Sequence, residues 1–172
     1  MIGLGRLRGI VASRSWGGSV HVAGAARIGR GVRISVAPGG WLRVGRGCRL
    51  ADGCRLVVCS GGIELGAGSA LGEGCTLIAR REITIGAGSR LGDGVSILDF
   101  GPAPIDSERP IRSQALYVAG VVLGPAVEVG LRAAIGPGVR LPASARVEPG
   151  AVLGGLAEPL LALGDAGPGL SA

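Results

Sequence analysis

The sequence predicts an all-β fold: a three-sided parallel β-helix of about six triangular coils, interrupted by one long loop. Three observations predict it. Aliphatic residues recur every six positions, a second column of small residues runs in the same register, and 35 of the 172 residues are glycine.

The six-residue period is clearest late in the chain. Leu123, Val129, Ile135, Leu141, Val147 and Leu153 follow one another without a break, and Gly124, Gly130, Gly136 and Gly154 directly follow four of them. Earlier, the spacing comes in threes: Val22, Ile28, Ile34; Val44, Leu50, Leu56; Leu65, Leu71, Leu77; Ile85, Leu91, Ile97. A fixed short period marks a repeat architecture whose units bury their core only against neighbours. Each trio reads as one coil. Two to four extra residues separate the first four coils, as if small bulges leave at one corner, and the last two coils join without insertion.

The position four residues after each aliphatic is usually small or β-branched, as in Ala26, Val32, Cys48, Cys54, Ser69, Cys75, Ser89, Val95, Val127, Ala133, Val139, Ala145 and Ala151. These side chains should also point inward, filling corners that have no room for more. Glycine, at about three times its average usage, supplies tight turns between flat sides. The four aromatic residues, Trp16, Trp41, Phe100 and Tyr117, are too few to pack a core of large rings, whereas a hydrophobic fraction of 47% fills a continuous aliphatic one.

The organisation expected is one domain over 1–172, with an N-terminal cap (1–19), coils one to four (20–97), an extended loop (98–122), coils five and six (123–155) and a C-terminal tail (156–172). Solenoids need protected ends, which assigns the capping role to the two flanks. No run of about 18 apolar residues exists, so no membrane span is expected, and the start MIGLGRLRGIV lacks the apolar stretch of a signal peptide. A cytoplasmic location follows as an expectation.

All 18 basic residues are arginine, and the net charge is +6. Arg27, Arg33, Arg49, Arg55, Arg90, Arg140 and Arg146 each directly precede a core aliphatic and should face solvent. Arg27 with Arg49, and Arg33 with Arg55, fall on adjacent coils of the same faces, so their charges repel unless water or an anion sits between them. A solvated face is one reading, contact with phosphate or an acidic glycan the other. Cys48, Cys54 and Cys75 sit in the small inward column and Cys59 one step outside it. No Cys-x-x-Cys spacing occurs, so no zinc or redox motif is indicated.

Hexads such as LGEGCT, IGAGSR and IGPGVR resemble those of the hexapeptide-repeat acyltransferases over residues 20 to 155, and this resemblance implies coils that wind left-handed. The stretch between Ile97 and Leu123 spans 26 positions instead of six, and long loops on rigid scaffolds usually carry function. In the sugar O-acetyltransferases of the colanic acid and galactoside type, a loop here carries a motif like Asp-Phe-His-Pro, whose histidine is a general base that deprotonates the acceptor hydroxyl for attack on the acetyl-CoA thioester. This chain has Asp99, Phe100, Gly101 and Pro102, with glycine where the histidine stands. Asp99 is then the local catalytic candidate, its alternative role being a turn-forming aspartate at the loop entrance. His21, the only histidine, lies before Val22 in the first coil, far from the loop by repeat count.

The stretch after the loop resembles the family segment that lines the acyl-CoA groove between subunits. By position, the resemblance implies that Gly130, Ala133, Ala134 and Gly136 border the pantetheine arm of acetyl-CoA or another acyl-CoA. Small residues are required there by a solenoid in any case. Glu128 replaces the usual tryptophan and Arg132 a small residue. The resemblance also implies a homotrimer.

Two functions remain open: O-acetyl or larger acyl transfer to a sugar or glycan-precursor hydroxyl, and a catalytically inactive paralogue acting as a scaffold or binding subunit. Carbonic anhydrases of this architecture need three zinc-binding histidines, so no metal is expected. Ranks of outward threonines, as in ice-binding helices, are ruled out by Thr76 and Thr84 being the only ones. Nucleic-acid binding by stacking lacks aromatic platforms.

Overall fold

The computed structural model describes residues 18–102 and 116–154. The N-terminal cap expected over 1–19 falls outside them except for residues 18 and 19, the tail over 156–172 falls wholly outside, and so do residues 103–115 of the loop. The first coil consists of β1 (Ser19–Val22), β2 (Arg27–Ile28) and β3 (Arg33–Val36). The second has β4 (Trp41–Val44), β5 (Arg49–Leu50) and β6 (Arg55–Val58), and the third β7 (Gly62–Leu65), β8 (Ala70–Leu71) and β9 (Thr76–Ala79). The fourth has β10 (Glu82–Ile85), β11 (Arg90–Leu91) and β12 (Ser96–Leu98). A hairpin of β13 (Phe100–Pro102) and β14 (Leu116–Val118) intervenes. The fifth coil is β15 (Val121–Leu123), β16 (Glu128–Val129) and β17 (Ala134–Ile135), and the sixth β18 (Arg140–Leu141), β19 (Arg146–Val147) and β20 (Val152–Leu153).

Every third strand stacks on its counterpart one coil away, giving three parallel six-stranded sheets: β1-β4-β7-β10-β15-β18 on the first face, β2-β5-β8-β11-β16-β19 on the second and β3-β6-β9-β12-β17-β20 on the third. The fold is an all-β solenoid of six turns, as the period requires. On the third face Ile34, Leu56, Leu77, Ile97, Ile135 and Leu153 pair in one row, so the loop insertion leaves the register intact. The same holds for the rows that end in Leu141 and Val147.

Leu56, Leu65, Leu77, Ile85, Ile97 and Leu123 are among the fully buried core residues, and the small column from Val32 to Ala133 is buried with them. Cys48, Cys54 and Cys75 each place the thiol against a carbonyl of the following coil, Gly66, Gly72 and Gly92 respectively, at 3.1–3.2 Å. Hydrogen bonding with the Cys75 thiol, together with burial, pushes the Cys54 thiol up, which keeps it a neutral small hydrophobe. Cys59 is exposed.

The corners explain the glycine content. The third residue after the inward aliphatic takes a left-handed conformation, as Gly94 does at φ 69°. One coil on, the same place is held by Arg132 at φ 55°, where a Cβ costs about 1–2 kcal/mol.

Candidate functional site

Among the described residues the chain is elaborated at one corner only, between the third and first faces. There β3 leads to β4, β6 to β7, β9 to β10 and β12 by way of the hairpin to β15, the segments that carry the extra residues in each turn. The fourth of these carries the long loop. The hairpin pairs Phe100 with Val118, Gly101 with Tyr117 and Pro102 with Leu116.

Asp99 anchors the root of this hairpin. It follows Leu98, which pairs with Ile78, and so continues the inward row Val36, Val58, Ala79. Its side chain is fully buried. Oδ1 accepts the amide of Arg80 at 2.8 Å, and Oδ2 accepts those of Arg81 at 2.6 Å and Glu82 at 2.7 Å, the turn between β9 and β10 one coil earlier. Its carbonyl accepts the amide of Ala119 at 2.9 Å. A carboxylate that accepts three amides and is closed to solvent is fixed in place and shielded from an acceptor hydroxyl. The aspartate therefore caps a turn, and that turn is not its own but the one stacked beneath it. Arg80, presented by the capped turn, lays its guanidinium over the Phe100 ring at 5.0 Å.

Tyr117 is the residue that sequence reasoning passed over. It lies directly across the hairpin from Gly101, and cross-strand partners project to the same side of a ribbon. Its hydroxyl lies 3.4 Å from the point a Cβ on Gly138 would occupy, at the corner of the fifth coil. The Gly138 amide donates to the Ala119 carbonyl at 3.0 Å, tying the end of the hairpin to that corner. Tyr117 is 45% exposed. Its being the only tyrosine in the chain, inside the only long insertion, was the available signal.

The four positions expected along an acyl-CoA arm all lie on the fifth coil but do not form one surface. Ala133 is fully buried in the interior column, and its amide and carbonyl are taken by Gly130 and Ser96, so it presents nothing outward. Ala134 faces out on the third face, in register with Ser96 and Val152. Gly130 and Gly136 occupy two different corners, each pressed against the sixth coil. A Cβ on Gly136 would collide with the Gly154 carbonyl, and one on Gly130 with the Pro149 backbone. Stacking alone demands glycine at both. Gly130→Ala is expected to cost about 1–3 kcal/mol in denaturant unfolding. A neutral result would show that the corner has room and that the glycine answers to a ligand instead.

Beside Gly130 lie two open depressions of about 430 Å³ each, one lined by Asp93, Leu131, Arg132, Pro149 and Gly150, the other along the second face from Arg90 to Glu148. Leu131, 52% exposed, gives the first an apolar wall. In the second, Glu128 pairs with Arg146 at 3.3 Å on the solvent side. Both depressions sit away from the hairpin corner. His21 is exposed on β1, in register with Arg43, at one end of its sheet and four strands from β15. Among the described residues no three of His, Cys, Asp and Glu come together as a metal site.

Neither a family model nor a curated protein matches the sequence. Solved structures similar to the fold include the N-terminal domain of CcmM in complex with CcmN, 20% identical over 83% of this chain and 84% of that one, with a TM-score of 0.46. A mutant of AntD, an N-acyltransferase from Bacillus cereus, in complex with a dTDP-linked amino sugar and coenzyme A, is 19% identical over 81% of this chain and 69% of that one, with a TM-score of 0.49. The polysialic acid O-acetyltransferase OatWY is 15% identical over 73% and 70%, with a TM-score of 0.42.

Proposed function

We propose that this protein is a cytoplasmic, CoA-dependent acyltransferase that moves an acetyl or larger acyl group to a hydroxyl of a sugar or glycan precursor. The observation that carries this reading is Tyr117 opposite Gly101: where sequences resembling this one keep an imidazole, the register brings in a phenol from the other strand of the same hairpin. In the reaction the acceptor oxygen attacks the thioester carbonyl, the C–O bond forms as C–S breaks, and the hydroxyl proton ends on the departing thiolate. The Tyr117 hydroxyl orients the acceptor and relays that proton. Asp99 acts through the fold, holding the hairpin root to the Arg80–Glu82 turn.

The acyl chain, on this reading, runs along the third face past Ala134 towards the Gly136–Gly138 corner. Beside the exposed Arg33 and Arg55 at its start, the same face carries an outward row of Val57, Ile78 and Leu98, half-buried and apolar, where the first face has Arg43 and Glu64. A homotrimer that packs three prisms through Ile78 and Leu98, beyond the Arg33–Arg55 pair, would close the groove with a neighbour's surface. Left-handed winding belongs to the same proposal.

Release of CoA thiol from acetyl-CoA over a panel of sugar acceptors tests it. Turnover is expected, with Tyr117→Phe lowering kcat by about 100-fold or more at little change in KM for acetyl-CoA. Absence of thiol release with every acceptor would sink the reading. Gly101 itself favours a second one, an inactive scaffold or binding subunit. Calorimetric binding of acetyl-CoA without turnover would support that alternative, and a Gly101→His variant that gains activity would show the surroundings intact.

A further inference from the structure

The charge of the chain is divided along its sequence. Residues 1–58 hold ten arginines against Asp52 alone, whereas residues 59–172 hold eight arginines against eleven carboxylates. A net charge of +9 thus lies in the first third and −3 in the remainder. Among the described residues the first two coils, at one end of all three sheets, hold seven of these arginines against Asp52, and the four coils beyond them hold six against seven carboxylates.

Seven arginines girdle that end. Arg27 and Arg49 stack in register on the second face, Arg33 and Arg55 on the third, and Arg43 stands on the first. Arg30 and Arg46 fill corners between them, and all seven are exposed. No ion pair to any of them occurs among the described residues, and Asp52 spends one oxygen on the Arg30 amide. A linear polyanion lying along one face would meet at most two of the stacked arginines. A plane of anions met by the end of the prism would face the whole ring. Two coils span about 10 Å, which is one Debye length at moderate salt, so every arginine of the ring would feel such a plane while the nearly neutral coils beyond it would be screened.

The sequence leading into β1 fits the same partner. Residues 1–17 add Arg6, Arg8 and Arg14 with no acid, and interleave them with Ile2, Leu4, Leu7, Ile10, Val11 and Trp16. Basic residues alternating with large apolar ones suit an interface that offers anionic headgroups above hydrocarbon, with Trp favoured at the boundary. Soluble polyanions offer the first without the second.

We infer that the N-terminal end of the prism docks end-on on an anionic phospholipid bilayer, with the arginine ring of the first two coils against the headgroups and the nearly neutral coils directed away. This orientation leaves the hairpin corner, three coils further along, open to solvent substrates.

Cosedimentation of the full chain with vesicles tests it. Binding to phosphatidylcholine vesicles containing roughly a third phosphatidylglycerol should exceed binding to phosphatidylcholine alone by at least about tenfold, and should vanish as NaCl rises from about 50 to 500 mM. A variant with Arg27, Arg33, Arg49 and Arg55 each changed to Gln should lose at least about tenfold in partitioning. Arg90→Gln with Arg140→Gln, at the other end, should bind unchanged. All six side chains face solvent, and the salt series on the unmodified chain needs no variant. Equal binding to both vesicle types, salt-independent binding, or an unaffected fourfold variant would overturn the inference. So would capture by heparin or duplex DNA without any vesicle binding.

Discussion

Asp99→Ala is expected to lower the free energy of unfolding by about 3–5 kcal/mol. The carboxylate serves three amides of a turn that belongs to another coil, and a hydrogen bond to a charged group contributes about 1.5–3 kcal/mol. Arg80, Arg81 and Glu82 are exposed, so water can reach part of the turn once the carboxylate is gone, and the loss stays below the sum of three bonds. Asp99→Asn should cost nearly as much, because its amide group would direct N–H at N–H on one side. Urea unfolding of the two variants measures this. A change below about 1 kcal/mol for Asp99→Ala would mean that the turn does not depend on the carboxylate. Should Asp99→Asn keep wild-type stability while abolishing thiol release, the aspartate would be restored as the base.

The three rows of aliphatic residues, the inward small column and the site of the long loop were legible because a solenoid repeats a local pattern: the register of Ile97 against Ile135 follows from counting sixes on either side of the insertion. The role of Asp99 was not legible, since its partners lie 17–19 residues earlier and are backbone amides, which leave no mark in side-chain identity. Tyr117 was hidden for a related reason. Its position across from Gly101 depends on hairpin pairing over a stretch with no period. Ala133 could have been sorted from the sequence, because a residue in the inward column cannot also face a ligand, and the period decides between the two. The resemblance places Gly130 and Gly136 along the pantetheine arm, whereas in the fold the sixth coil occupies the space a Cβ would need at each.

The same one-dimensional logic sets the second large effect. Leu77 is fully buried in the third coil, in register between Leu56 and Ile97. Leu77→Ala is expected to cost about 3–4 kcal/mol, in the upper part of the range for such truncations, because coils held at a fixed spacing of about 4.8 Å by backbone bonds on both sides cannot move together to refill the space. Leu141→Ala removes the same atoms from the last coil, where the side chain is only half-buried and has a neighbour in its row on one side alone, and should cost about 1 kcal/mol. Denaturant unfolding of the two variants gives the comparison, and native hydrogen exchange locates the damage: with Leu77→Ala protection should fall in coils two to four together, since each coil is stabilised only by those it touches. Equal costs for the two truncations would contradict a core assembled coil by coil, and would mean that the prism instead shares strain along its whole length.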